Sequence, residues 1–388
     1  MVRLALSSAV IALFATSAAA QCGGSFSSFV QGLKSEAVSR GQSQSTVDRF
    51  FQGVRQDPAV IRADRAQGVF QKPFLDFSRA LISQNRMDNG RRNLGRFDAV
   101  FDEMERRYGV SRGVLTAFWA FETDFGGFQG NFNTRDALVT LAHDCRRPEL
   151  FRPQVFAAIE LYARGGMDPN NTTGAWAGEI GMVQMLPADI LENGVDADGD
   201  GRVSLKTSAP DALMSGANML RSLGWRAGEP WLQEVVVPEN FDWSRSGLDT
   251  TLSTRQWAQL GVTPRSGNLP GLNASLLVPQ GRRGPAFLAY PNFNVFFEWN
   301  QSFVYVMTAA YFATRLEGAP VYIAGNPEQG LSGNQMKELQ RKLQARGYDV
   351  GAVDGILGRN TRAAVQAEQQ RLGFPADAWP TPRFLNAL

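Results

Sequence analysis

The sequence predicts a mainly α protein with one small β element and a compact helical module at its C-terminus. Three observations predict it. From Phe26 to about Arg164 apolar residues recur with a helical period. Alternation that suits a strand is brief, confined to "WLQEVVVP" and "LNASLLVPQG". The Gly/Pro/Asn/Gln-rich stretch "GNPEQGLSGNQ" sets a short C-terminal segment apart from everything before it.

The chain opens with "MVRLALSSAVIALFATSAAA", an arginine, an apolar run and a small-residue exit. That pattern predicts a signal peptide over residues 1–20 and export to the periplasm. A membrane anchor fits less well, because the apolar run is short and broken by serines and threonine. A lipid anchor at Cys22 would want a small residue where Gln21 stands. Residues 21–325 are then expected to form one large domain, 326–335 a linker, and 336–388 the terminal module.

Composition narrows the chemistry. Lys and Arg total 39 against 37 Asp and Glu, so no strong field is present and nucleic acid is not an implied partner. Two cysteines, Cys22 and Cys145, could pair in an oxidising compartment but cannot build a zinc site of the usual kind. A single histidine, His143, reads as a structural or surface residue. Catalysis therefore falls to carboxylates.

The segment "NLGRFDAVFDEMERRYGV" is amphipathic, with Gly109 closing its helix and Ser111 placed to cap the next, "VSRGVLTAFWAFET". In that next helix Leu115, Phe118, Trp119 and Glu122 share one stripe. Asp124 is rotated about 200° from Glu122 and points elsewhere. A carboxyl among Leu115, Phe118 and Trp119 is desolvated, which favours its neutral form and suits a general acid. The alternative is a helix-terminal glutamate held by an arginine. No other acid is obviously placed beside Glu122.

The stretch "TTGAWAGEIGMVQMLP" carries Gly178 and Gly181, which let backbone approach either a neighbouring helix or a ligand. Its Gln184 offers both an acceptor and a donor group, and its proline reads as a helix stop. The loop "VDADGDGRVSL" places Asp196, Asp198, Asp200 and Gly201 at positions 1, 3, 5 and 6 of an EF-hand-like calcium loop. Arg202 falls at position 7, which serves through its backbone carbonyl. Thr207 stands where the closing glutamate belongs, so Asp211, the next acid, would have to close the site. A structural calcium ion and a solvated acidic turn are both open readings. After the strands, "NQSFVYVMTAAYFATRLEG" returns to helix.

Taken in order, "ETDFG", "AGEIGMVQMLP", "DADGDG", "LGW", "GPAFLAYPNF" and "WNQS" resemble the lytic murein transglycosylase B family over roughly residues 25–320. The resemblance implies a lysozyme-like helical fold with a small β element. It implies cleavage of the MurNAc–GlcNAc β-1,4 bond of peptidoglycan, leaving 1,6-anhydro-MurNAc ends, with no cofactor needed for the chemistry. The family's catalytic glutamate maps onto Glu122, its glutamine onto Gln184 and its late asparagine onto Asn300, with Trp299 where tyrosine is usual. Its groove arginines correspond to Arg146 and Arg147, and Gly126 and Gly127 would give a wall without side chains for a sugar. Where the family often has a serine before the glutamine segment this chain has Ala175, so any hydrogen bond from that serine to the acid is absent or replaced.

One carboxyl is enough for such an enzyme. Glu122 gives its proton to the glycosidic oxygen, then takes one from the C6 hydroxyl, which attacks C1 from within the substrate. The C-terminal stretch resembles a three-helix peptidoglycan-binding module over 336–388, departing at Glu368, where an aromatic is usual, and at Ala378, where glycine is common. Thr361 caps or opens its second helix. Two further readings stay open: a muramidase that uses water, and a wall-binding scaffold without activity. The expected partner is the peptidoglycan glycan strand, and the chain is expected to be a monomer with a Cys22–Cys145 disulfide.

Overall fold

Many of the helices begin where the sequence supplies a side-chain cap. Ser25, Ser43, Ser83, Ser111 and Ser302 each sit just before a helix and accept a hydrogen bond from an amide of its first turn. Each satisfies a donor that the helix leaves without a partner. The structure, a computed structural model, describes residues 22–66 and 71–388; the expected signal peptide lies outside them. Among the described residues seventeen α-helices and seven short strands follow one another, so the protein is mainly α. The helical region from Phe26 is divided more often than periodicity alone suggests. "NLGRFDAVFDEMERRYGV" breaks at Phe97, between Gln84–Arg96 and Asp98–Tyr108, and Gly109 closes the second helix with φ 67°.

The centre of the molecule is one helix pair. Arg112–Thr123 packs along Phe303–Leu316, with Phe121 stacked on Phe312 at 5.2 Å between ring centroids. Gly113 permits the approach, since a Cβ there would lie 2.8 Å from the Ala313 carbonyl oxygen. Val306, Met307, Ala309, Ala310, Phe312 and Ala313 are wholly buried, so the second helix is apolar on every side.

A five-stranded antiparallel sheet runs Leu252–Ser253, Asn273–Leu277, Ala286–Ala289, Leu232–Val236, Thr263–Pro264 across its width. The central strand Ala286–Ala289 escapes the sequence reading because all four of its residues are buried and no alternation marks it. Both faces are covered. Leu232, Leu277, Phe287 and Ala289 face the main helical core, while Val235, Leu276, Leu288 and Tyr290 face a second core around Trp257. Pro187 corrects a second expectation. It opens the helix Pro187–Asn193 instead of ending one, a position where its missing N–H costs nothing.

The last three helices, Gly333–Ala345, Arg359–Arg371 and Pro382–Asn386, enclose their own core of Leu339, Leu343, Val365 and Phe384. Thr361 lies inside the second of these helices, not at its cap, and its hydroxyl donates to the Val350 carbonyl. Glu368 is buried and ion-paired with Arg346 and Arg371, and Ala378 holds a left-handed φ of 58°. The module is docked on the rest of the chain. The Gln366 amide donates to the carbonyls of Trp243 (3.1 Å) and Ser246 (2.8 Å), and the Arg362 guanidinium sits 4.2 Å over the Phe303 ring.

Cys22 and Cys145 form the expected disulfide across 123 residues. His143 is structural: Phe26 and Phe29 meet its ring edge to face, and Nε2 lies 3.0 Å from the Gly24 carbonyl oxygen. Among the described residues no helix is long and apolar enough to cross a membrane.

Candidate active site

The stripe read from the sequence places Glu122 at the end of Arg112–Thr123, above the wholly buried Leu115 and Phe118 and the nearly buried Trp119. Two donors converge on one of its oxygens. Trp299 Nε1 donates to Oε1 at 3.1 Å from the end of Pro291–Trp299, and the Tyr305 hydroxyl donates to the same atom at 2.5 Å from the first turn of Phe303–Leu316. The Trp299 indole is stacked on Phe118 at 4.3 Å, which fixes its aim. Burial raises the Glu122 pKa above the ordinary carboxylate value, and the two donors lower it without cancelling that effect. Oε2 has no hydrogen-bond partner among the described residues, so the neutral acid carries its proton there.

Tyr305 is absent from the sequence reading. It sits in a helix apolar all round, where a tyrosine looks like core, and only its contact with Glu122 reveals it. Together with Trp299 it supplies the hydrogen bonds that Ala175 cannot.

The chain leaves the acid-bearing helix through Asp124, Phe125 and Gly126, all with left-handed φ. Asp124 is exposed and paired with Arg86 at 3.1 Å, away from Glu122. The Thr123 hydroxyl donates to the Met182 carbonyl at 2.6 Å and accepts from the Gly126 amide, pinning the helix end to the segment that carries Gln184. A Cβ on Gly126 would lie 3.2 Å from the Met182 side chain, so protein fills the space beside it; Gly127 is exposed. Gln184 has a left-handed φ of 53°, and its side-chain nitrogen donates to the carbonyls of Gly181 (2.7 Å) and Gln129 (3.3 Å). Gly178 faces Leu138 and Gly181 faces Leu205, so both glycines serve close packing within the protein.

Beside this constellation lies a cleft of about 410 Å³ lined by Arg147, Phe151, Trp176, Glu179, Leu186 and Asn300. Asn300 directly follows Trp299, and its side-chain oxygen accepts from the Ser302 amide at 2.9 Å. Arg146 and Arg147 both bond the buried Asp64. Burial alone would raise the Asp64 pKa, but the hydrogen bonds from the two arginines hold it below the usual value. Of the two arginines, Arg147 lines the cleft.

A second acid stands here after all. Glu179 is half-buried on the cleft wall, and burial together with the charge of Glu122 pushes its pKa up to about 7. No periodicity marks it in the sequence, because it lies in a turn-rich segment.

In the acidic loop, carboxylate oxygens of Asp196, Asp198 and Asp211 lie within 4.8 Å of one another. Asp211 is wholly buried, and it accepts from the amides of Ala197 (2.9 Å) and Ser204 (2.7 Å). Asp200 stays outside that group and caps the Arg202 amide at 2.8 Å. Among the described residues no cationic side chain pairs with these three carboxylates, and three hard oxygens converging in this way suit a calcium ion.

Residues 25–314 match the transglycosylase SLT domain, and residues 332–388 match the putative peptidoglycan-binding domain. Membrane-bound lytic murein transglycosylase B of Escherichia coli is 28% identical over 238 residues, spanning 60% of this chain and 64% of that relative's length. The crystal structure of SltB3 from Pseudomonas aeruginosa in complex with NAG-anhNAM-pentapeptide superposes with a TM-score of 0.86 at 38% identity, covering 94% of this chain and 99% of that one. The Escherichia coli lytic transglycosylase Slt35 in complex with calcium shares the fold with a TM-score of 0.65 at 24% identity, over 76% of this chain and 96% of that one.

Proposed function

The chain belongs to the transglycosylase SLT domain family, and from that premise we propose that it is a lytic transglycosylase cleaving the MurNAc–GlcNAc bond of peptidoglycan. The observation that carries the reading is the asymmetry of Glu122: two fixed donors on Oε1 and, among the described residues, none on Oε2, where the proton of the neutral acid would sit. Glu122 donates that proton to the glycosidic oxygen as the C1–O bond breaks, and the GlcNAc end departs with a C4 hydroxyl. Charge grows on Glu122 as an oxocarbenium-like centre forms at C1. Tyr305 and Trp299 already point at Oε1, one of the two oxygens that share it, so those donors need not reorganise. The Glu122 carboxylate then takes the C6 hydroxyl proton while O6 bonds C1, giving a 1,6-anhydro end and restoring the acid with no water consumed.

Substrate is read by groups around the acid. Gln184 presents its side-chain oxygen, Asn300 and Arg147 line the adjoining cleft, Trp299 offers its indole, and Gly127 leaves room for a ring. Arg146 acts through Asp64, which it shares with Arg147. SltB3 holds NAG-NAM-pentapeptide and its anhydro counterpart, the chemistry proposed here for substrate and product. Asp196, Asp198 and Asp211 would hold a structural calcium ion, which supplies no step of the reaction. Residues 21–325 form the catalytic domain, 326–335 the linker and 336–388 a wall-binding module, in a monomer exported to the periplasm. Mass spectrometry of digested sacculi tests the reading: anhydro-muropeptides lack one water relative to hydrolytic products, and only the former fit.

A further inference from the structure

Arg362 is a cation set into the contact between the terminal module and the rest of the chain, with no carboxylate bonded to it. Its guanidinium donates to the Pro279 carbonyl at 2.8 Å and lies 4.2 Å over the Phe303 ring. Its Nε is buried without a hydrogen-bond partner, and it forms no ion pair among the described residues. Asp377 reaches it by charge alone, since its oxygens serve Gln369 and the amides of Trp379 and Arg282. Asp249, on the same cavity wall, is paired with Arg359. A cation so placed costs stability that a leucine or methionine would not, and the aromatic face is what it gains.

The ring under that cation belongs to the turn that serves Glu122. Phe303 is buried and starts the helix whose third residue, Tyr305, donates to Glu122 Oε1. It also meets Phe297 at 6.5 Å between ring centroids, two residues before Trp299, the other donor to that oxygen. Asn300 and Ser302 close the connection between the two helices: Asn300 Oδ1 accepts from the Ser302 amide, and Ser302 caps Phe303–Leu316. On the module side the ring is not wedged by bulk, because Phe303 and Arg362 together line two cavities of about 40 Å³ each. The guanidinium, more than close packing, therefore sets where the ring lies.

Resting on the reading of Glu122 as the proton shuttle, we propose that Arg362 is a positioning residue for that acid, holding through Phe303 the turn from which Trp299 and Tyr305 reach Oε1. The two donors act at 3.1 and 2.5 Å, and a hydrogen bond weakens steeply when its donor is misaimed. Arg362 itself touches neither Glu122 nor substrate. The module thus contributes to turnover apart from any hold on the wall, and cleavage of short soluble glycan fragments depends on it too.

The test is kcat, KM and the pH profile of anhydro-muropeptide release from short soluble glycan fragments by the full chain, with melting curves to show that each variant is folded. Arg362→Met keeps the bulk and removes the cation. Its kcat should fall about 3- to 10-fold with KM little changed. Both donors lower the Glu122 pKa, so loosening them should also move the alkaline limb up. Glu179, the acid that feels the charge of Glu122, is the same in every variant and does not account for that shift. Arg362→Lys keeps a cation for the ring and should restore most of the rate and the limb. Gln366→Ala, four residues along the same helix, loosens the module at Trp243 and Ser246 and should leave kcat and the limb as in wild type. In a Tyr305→Phe background Arg362→Met should cost less than it does alone, because both changes act on one hydrogen-bonded group. An unmoved limb in Arg362→Met overturns the proposal, as does an equal loss in Gln366→Ala, which would assign the effect to undocking. A wild-type product that has gained water would instead defeat the transglycosylase reading, and kcat and the limb would still decide the role of Arg362.

Discussion

The hydroxyl of Tyr305 lies 2.5 Å from Oε1 of Glu122, across 183 residues of sequence. Phe121, one residue before the acid, meets the Tyr305 ring edge to face at 6.0 Å, so the two helices lock the donor as well as the acceptor. Because Trp299 bonds the same oxygen, the carboxyl has one occupied side and one free side.

Removing either donor should separate rate from protonation. Tyr305→Phe deletes a hydrogen bond to a charge-bearing carboxyl, worth about 1.5–3 kcal/mol, and should slow kcat about 10- to 100-fold. Since the donor lowers the Glu122 pKa, the alkaline limb should move up while the rate falls. A loss of rate with an unmoved limb would show that the bond does not act on the acid.

Glu122→Gln should abolish anhydro-muropeptide release, a loss of at least about 10²–10⁴ in rate, with wall binding intact. Asp124→Asn is its control. That side chain is exposed and, among the described residues, paired with Arg86 alone, so activity should be retained and stability should change by less than about 1 kcal/mol.

The Glu122 carboxyl also makes stability depend on pH. Its folded pKa is raised above 4.5, so its contribution is fully present below that value and is lost as pH rises through the folded pKa. Glu122→Gln should therefore melt higher than wild type at pH 8, with the gap closing below about pH 4.5. A gap that does not change with pH would assign the effect to packing.

Calcium should raise the melting temperature of chelator-treated protein, by about 2.7 kcal/mol of stability at a hundredfold excess over Kd. Asp196→Ala and Asp198→Ala should remove that rise and leave turnover largely intact. Asp211 is a poor probe, because it also holds backbone amides of the loop.

Reduction of Cys22–Cys145 should destabilise the fold by up to about 4–5 kcal/mol in the chain-entropy account, given the 123 residues it spans. Thiol labelling with and without reductant, beside melting curves, checks both the pairing and its effect.

The placement of Glu122 could be read from the sequence because its signal is local, one acid in the stripe of Leu115, Phe118 and Trp119, while its role rests on the resemblance. The disulfide could be read because no other cysteine competes. Tyr305 could not, since a helix buried on every side has no polar face against which a functional hydroxyl would stand out. Glu179 was hidden differently. Its placement depends on left-handed turns at Gly178, Gly181 and Gln184, each set by a neighbour distant in sequence or by a local bend. The strand Ala286–Ala289 was lost because burial on both faces erases the period-two pattern.

Phe303, under the Arg362 guanidinium, and Tyr305, on the Glu122 carboxyl, leave the same first turn of one helix. The terminal module is therefore not an interchangeable cassette. A chimera joined at 326–335 with a foreign wall-binding unit would keep its tether but lose the arginine over Phe303, the amide clamp on Trp243 and Ser246, and the Trp379 indole on the Glu328 carbonyl. Engineers who want a different surface at this end of the scaffold would do better to recolour the outer face of the resident module than to replace it.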